Sequence, residues 1–330
     1  MSNEELFLEE LPIIPESMLI AANSGILVPF IGAGVSMLGG CPSWTELANS
    51  ALGSFVSDSG ITHGHYDQLS KLPSRVKLTL ADDLQRKYKQ DIDYKKILSP
   101  SADKLKKYDA DKAYASLRKL STLIVTTNYD DWLDKPFNDT GDILENTSPS
   151  SLNSVNVNVV YKKDEITPLL LDATNTIVHI HGSVNDYQSM VVTTTDYLKR
   201  YSNPRDESEN QYLKFLEVLF ELRSVFFVGY GLEELEILEY VFTKSNLIKE
   251  DETSPPKSKH FLLQGFFSHE IEVAKNLKVY FQKFGVELIP FLKDKNSYKQ
   301  LIPIIEDLAA KIPMQQVLVQ QEKITMASLL

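Results

Sequence analysis

Short apolar runs, each closed by glycine or by small polar residues, alternate along the chain with longer stretches whose apolar positions recur at helical spacing. Residues 26–31 form the first such run, and 122–128, 156–161, 176–181, 190–194, 224–228, 260–264 and 286–292 repeat the pattern. Runs of this length with few charges read as strands buried on both faces. Between them, 16–23, 81–97, 110–120, 211–222, 270–284 and 298–311 read as helices, and another begins at 129–133. In 211–222 the apolar residues fall at 212, 215, 216, 219 and 220, one face of a helix. Ser43 followed three residues later by Glu46 is a capping-box pattern, opening a helix that runs to about Phe55. Strands alternating with helices predict an α/β chain, a Rossmann-like, mostly parallel sheet with helices on both faces. Residues 56–120 hold no strand pattern and are expected to be a helical insertion or small subdomain within one domain spanning 1–330. Asn, Ser, Thr and Asp crowd 138–156, an expected surface loop, and the tail at 313–330 is expected either to be disordered or to serve oligomer contacts.

Charge narrows the range of partners. Forty-five acidic against 34 basic residues give a net charge of −11, which repels a phosphate backbone and argues against direct nucleic-acid binding. Residues 1–10 carry four glutamates and no basic residue, unlike a secretory or mitochondrial leader. No uncharged apolar run approaches the ~20 residues that cross a bilayer. Cys41 is the single cysteine, so neither an intrachain disulfide nor a multi-cysteine zinc site can form. The expectation is a cytoplasmic protein without a membrane segment.

Candidate chemistry gathers where strands end, the edge at which open parallel sheets bind ligands. The first strand runs into Gly32, Ala33 and Gly34, with Ser36 beyond; glycines there let backbone N–H groups approach a phosphate. A third fingerprint glycine is due at 37, where Met37 stands, and glycine pairs also serve plain turns. The second strand ends in Thr127-Asn128-Tyr129-Asp130, the fourth in His181-Gly182, and a later one in Gly229-Tyr230-Gly231. Asn128 can donate and accept at once, or simply cap a turn. Asp130 and Asp131 are expected in the first turn of a helix, Asp134 in solvent, and His179 in the core. Three aspartates in five residues diverge around a helix and make a poor metal site. His181, two residues after His179 and against Gly182, can face a cleft.

In this order, Gly32-Ala33-Gly34 with Ser36, Gly40 and Pro42, Thr127-Asn128-Tyr129-Asp130 and His181-Gly182 resemble the sirtuin superfamily over about residues 26–292. The resemblance implies NAD as substrate, its diphosphate on Gly32, Ala33 and Gly34. It implies Asn128 and Asp130 at the nicotinamide ribose or the reacting water, and His181 as general base. Ser36, Trp44, Thr127, Gly229 and Gly231 are further expected binding residues; Trp44 or Tyr129 would wall the nicotinamide pocket or else pack in the core. Departures are equally informative. The paired Cys-x-x-Cys zinc module of protein-deacylating sirtuins is absent, and Ser43-Trp44-Thr45 replaces their Asp-Phe-Arg. Thr127 stands for their Gln, and the late strand ends Gly-Tyr-Gly. Gly-x-Pro-Ser-Trp, Thr-Thr-Asn-Tyr-Asp and Thr195-Asp196-Tyr197 look like bacterial sirtuin-like effectors of anti-phage defence, which degrade NAD. That likeness implies cleavage to nicotinamide and ADP-ribose without a metal. It also implies a homo-oligomer and a separately encoded activator, such as a hexameric ATPase or an Argonaute-like sensor. An NAD-dependent deacylase, a cyclase using the same residues, and a non-catalytic NAD or ADP-ribose sensor are the alternatives.

Overall fold

The computed structural model describes residues 7–57, 60–99, 109–135, 157–202, 210–231 and 259–312. Seven strands form one sheet in the order β3-β4-β2-β1-β5-β6-β7: β1 Leu27–Ile31, β2 Leu123–Thr126, β3 Asn158–Val160, β4 Thr176–His179, β5 Ser224–Val228, β6 His260–Phe266 and β7 Val286–Leu292. Every pairing is parallel. The two-residue period of the strands divides their side chains cleanly between two cores. Leu27, Ile31, Ile124, Ile177, Phe226 and Val228 enter one core, and Val28, Phe30, Leu123, Val125, Val178, Val225 and Phe227 enter the other. Full burial of such side chains contributes about 1.5–3 kcal/mol each, which is why the runs contain so little polar sequence.

The first core is closed by helices α1 (Glu16–Asn23), α2 (Ala33–Leu38), α7 (Ala110–Leu120) and α11 (Leu301–Lys311); α9 (Gln211–Leu222) and α10 (Ile271–Gln282) cover the other face. Helix α3 (Trp44–Gly53) starts on the expected capping box, both halves of which form at Ser43 and Glu46. With α4 (His63–Leu69), α5 (Ser74–Tyr88) and α6 (Tyr94–Leu98) it builds a separate apolar cluster. That cluster is completed by Tyr129 after β2 and by Val184, Met190 and Val192 after β4. The helical region thus stands on the edge where the strands end. Within 56–120, α7 instead packs against α11 on the sheet.

Three local expectations are corrected. The single helix expected over 81–97 is α5, which begins at Ser74 and ends at Lys89 in the left-handed conformation (φ 53°), followed by the short α6. No helix begins at 129–133; the described chain turns through Asp131–Lys135 instead. The two carboxylates expected in the first turn of that helix are drawn to other partners: Asp130 to Ser36 and Tyr114, Asp131 to Lys135 and Asn185. Residues 190–194 are not a strand. Val191 N–H donates to the His181 carbonyl, and Thr193 then caps α8 (Thr194–Tyr201) through a capping box with Asp196. The expected loop at 138–156 and the tail at 313–330 lie outside the described residues.

Candidate functional site

At the centre of the sheet β1 and β5 are neighbours, and their following loops interlock. Gly34 N–H donates to the Gly229 carbonyl (2.8 Å) and Gly32 N–H to that of Val228 (2.9 Å). A Cβ on Gly32 would lie 2.7 Å from the Gly229 oxygen, and one on Gly34 would lie 2.8 Å from the same atom. Gly229 has φ +67°, and its Cβ would meet the Val35 nitrogen at 2.6 Å. These glycines are therefore required for loop-on-loop packing, whatever ligand lies above them. Two N–H groups expected at a phosphate are committed to carbonyls.

Asn128 closes the turn after β2. Its backbone N–H donates to Thr126 Oγ1 (3.0 Å) and its Nδ2 to the Gly32 carbonyl (3.0 Å), fastening β2 to the glycine turn of β1. Its own carbonyl accepts from His179 Nδ1 (2.8 Å). Asp130, buried beside it, accepts from Ser36 Oγ, Tyr114 Oη (3.2 Å) and Trp132 N–H (3.3 Å). Burial raises its carboxyl above the usual range, while the Ser36 hydrogen bond and the His179 charge pull the other way. Both oxygens are engaged by protein, so Asp130 braces the site from behind. Asp134 is not solvated as expected: it holds His179 Nε2 at 2.9 Å. Asp131 turns to Lys135 and Asn185, so the three carboxylates diverge. Among the described residues no group of three or more His, Cys, Asp or Glu is placed to hold a metal ion.

His181 sits past the end of β4 with Nε2 at 3.0 Å from Tyr201 Oη. Tyr212 donates to Tyr201, which leaves the Tyr201 proton for the imidazole. Burial first, then the Arg200 and Arg75 guanidiniums, lower the imidazole to about 3. The ring is neutral at physiological pH, with its Nε2 lone pair accepting from Tyr201. Tyr197 packs edge-on against it (5.3 Å between centroids), and Arg75 lies over the Tyr197 ring at 4.2 Å.

Arg75, His181, Tyr197 and Tyr201 line one cavity of about 1140 Å³. It runs along the carboxyl ends of five adjacent strands: His181 after β4, Thr127, Asn128 and Asp130 after β2, Ala33, Gly34 and Ser36 after β1, Gly229 and Gly231 after β5, and Leu263–Gly265 in β6. Four interstrand steps of ~4.8 Å make roughly 19 Å, the span of an extended dinucleotide rather than of a single sugar or base. Trp44 lines the His181 end and stacks on Tyr129 (6.3 Å). Gly32 is the one expected site residue that does not line the cavity; it lies beneath, as acceptor for Asn128. Sequence reasoning missed Arg75, Tyr197 and Tyr201 at the His181 end and Ser297, Tyr298 and Lys299 at the far end. Only Tyr197 carried a signal, in the Thr195-Asp196-Tyr197 piece.

Against known families, residues 122–289, just over half of the chain, match the model described as a SIR2-like domain. The match begins at β2 and takes in Asn128, Asp130 and His181, whereas the β1 glycine turn and the helical region precede it. No curated protein matches the chain.

Proposed function

The chain belongs to the SIR2-like domain family, and on that premise we propose that it is an NAD glycohydrolase, cleaving the nicotinamide–ribose bond to give nicotinamide and ADP-ribose. The observation carrying this reading is the co-location of Asn128 and neutral His181 at one end of a cavity long enough for a dinucleotide. SIR2-like domains are in general NAD-using, which fits that length.

The loops Ala33–Gly34 and Gly229–Gly231 would carry the diphosphate at mid-cavity. The nicotinamide would lie at the end walled by Trp44 and Tyr197. Asn128 has its Nδ2 fixed on Gly32, so Oδ1 is the atom left to orient a ribose hydroxyl or the attacking water. His181 takes the proton through Tyr201, whose own proton moves to Nε2 as its oxygen receives one from the attacking water while the bond to the cationic leaving group breaks, an effect typically worth about 10²–10⁴ in rate. Tyr201, bonded to Nε2 and lining the cavity, is the group that holds the ring and can pass the proton on. Burial is the main cause of the lowered His181, and a bound diphosphate would offset only the smaller contribution of the Arg200 and Arg75 guanidiniums. Asp130 acts indirectly, by bracing Ser36 and α2 beneath the loop.

The likeness to anti-phage effectors extends the proposal to NAD depletion on infection, by a homo-oligomer under a separately encoded sensor. Nicotinamide release from NAD by the purified chain, with and without an acyl-lysine peptide, tests the reading. Release that needs no peptide supports it. Release only with peptide favours the deacylase, and tight NAD binding without release the sensor.

A further inference from the structure

Beneath the cavity, His179 is fully buried between the Asn128 backbone carbonyl, which only accepts hydrogen bonds, and the Asp134 carboxylate, which when ionised also only accepts. Nδ1 faces the Asn128 carbonyl at 2.8 Å and Nε2 faces Asp134 Oδ1 at 2.9 Å. A neutral imidazole has one N–H, so it satisfies one of them and sets a lone pair against the other. The ring that fits both is the doubly protonated imidazolium, paired with ionised Asp134. We infer that His179 is a positioning residue, a fixed cation that locks the Asn128 carbonyl and through it the Asn128 side chain in the cavity. The inference rests on the reading of Asn128 as a substrate-orienting residue.

Several charged groups face this ring. Asp134 and Asp130 come from the turn after β2, and Arg118 of α7 lies in the field of Asp134 while donating to the Leu133 carbonyl (2.6 Å). Burial works against the cation, yet the Asp134 charge and hydrogen bond, the Asn128 carbonyl and Asp130 outweigh it, and the imidazole is raised above its ordinary value. His179 and His181, two residues apart, are thus driven in opposite directions. One is held charged to position, the other neutral to accept.

The sign follows. Activity that depends on the locked Asn128 is present while His179 is protonated and falls as pH rises through its raised value. Asp134→Asn separates this from a merely structural role. An Asn at 134 can donate to Nε2, so a neutral ring keeps its Nδ1–H on Asn128 and the alkaline fall disappears. His179→Leu loses the lock altogether and should lower kcat about 10–100-fold, the scale of a small misplacement at a reacting centre, with KM little changed.

The experiment is histidine ¹⁵N NMR of the full chain through a pH titration, beside kcat and KM profiles of wild type, Asp134→Asn and His179→Leu. An imidazolium at pH 7 whose titration moves the Asn128 amide signals, together with a flattened alkaline limb in Asp134→Asn, is the expected result. A neutral ring at pH 7, Asn128 signals indifferent to the titration, or an unchanged alkaline limb in Asp134→Asn overturns it. Should His179→Leu fail to fold, the titration and Asp134→Asn decide. Wild type that does not cleave NAD sinks the proposed function, while the ring's charge and its coupling to Asn128 are still read by NMR.

Discussion

Replacing Gly229 by alanine tests the interlock that brings β1 and β5 together beneath the cavity. Two costs arise at once. The residue has φ +67°, and an L side chain in the left-handed region costs about 1–2 kcal/mol. Its Cβ would also lie 2.6 Å from the Val35 nitrogen, a backbone atom at the start of α2 that cannot rotate away. Forcing atoms into a packed contact costs about 1–3 kcal/mol, so the variant should lose about 2–5 kcal/mol. Gly34→Ala meets the same loop, 2.8 Å from the Gly229 oxygen, without the positive φ, and should lose about 1–3 kcal/mol. The double variant should lose less than the total of the two, because one widening of the loops relieves both contacts. Gly53→Ala is the internal control. Its Cβ finds only Tyr66 Cε2 at 3.9 Å in a helix, so stability should rise by up to about 1 kcal/mol. Urea unfolding followed by tryptophan fluorescence and circular dichroism reads all four. A Gly229→Ala chain within about 0.5 kcal/mol of wild type, the range of neutral surface changes, would refute the interlock as described.

Three further outcomes follow from the site. Tyr114→Phe removes a donor from buried Asp130 and should cost about 1–3 kcal/mol in urea unfolding; no change would mean that Tyr114 does not support the carboxylate. Tyr201→Phe should lower kcat for NAD cleavage while leaving the fold intact by circular dichroism, and unchanged kcat would remove Tyr201 from the proton path. His181 is lowered in the fold to about 3 from 6.5, so it adds stability above pH 6.5 that is lost as pH falls toward 3. Over pH 7 to 5 this amounts to about 2 kcal/mol, so His181→Asn should lose about that much less stability than wild type across the same interval. Equal losses would show that His181 is not buried as a neutral ring.

The sheet was legible because its strands, 27–31 and 224–228 among them, are apolar on both faces and alternate with helical stretches, the pattern of a parallel sheet covered on both sides. Strand order was not legible, since nothing local says that β5 returns beside β1. The cavity edge was foreshadowed by loaded strand ends, but the work of the glycines was not. A glycine needed to seat a neighbouring loop looks the same in sequence as one needed to seat a phosphate. Asp134 and His179 escaped for a similar reason: they are 45 residues apart in the chain, and each alone has an ordinary explanation. Arg75 reaches the site from the helical region, where sequence offers only amphipathic periodicity.

The central claim is that Asn128 and His181 make this cavity cleave NAD, and the direct measurement is nicotinamide release by the purified chain beside Asn128→Ala and His181→Ala. The account predicts release by the wild-type chain without acyl peptide, and a fall of about 10²-fold or more in each variant, with NAD still bound. Release that survives both substitutions, or no NAD binding by the wild-type chain, would contradict it.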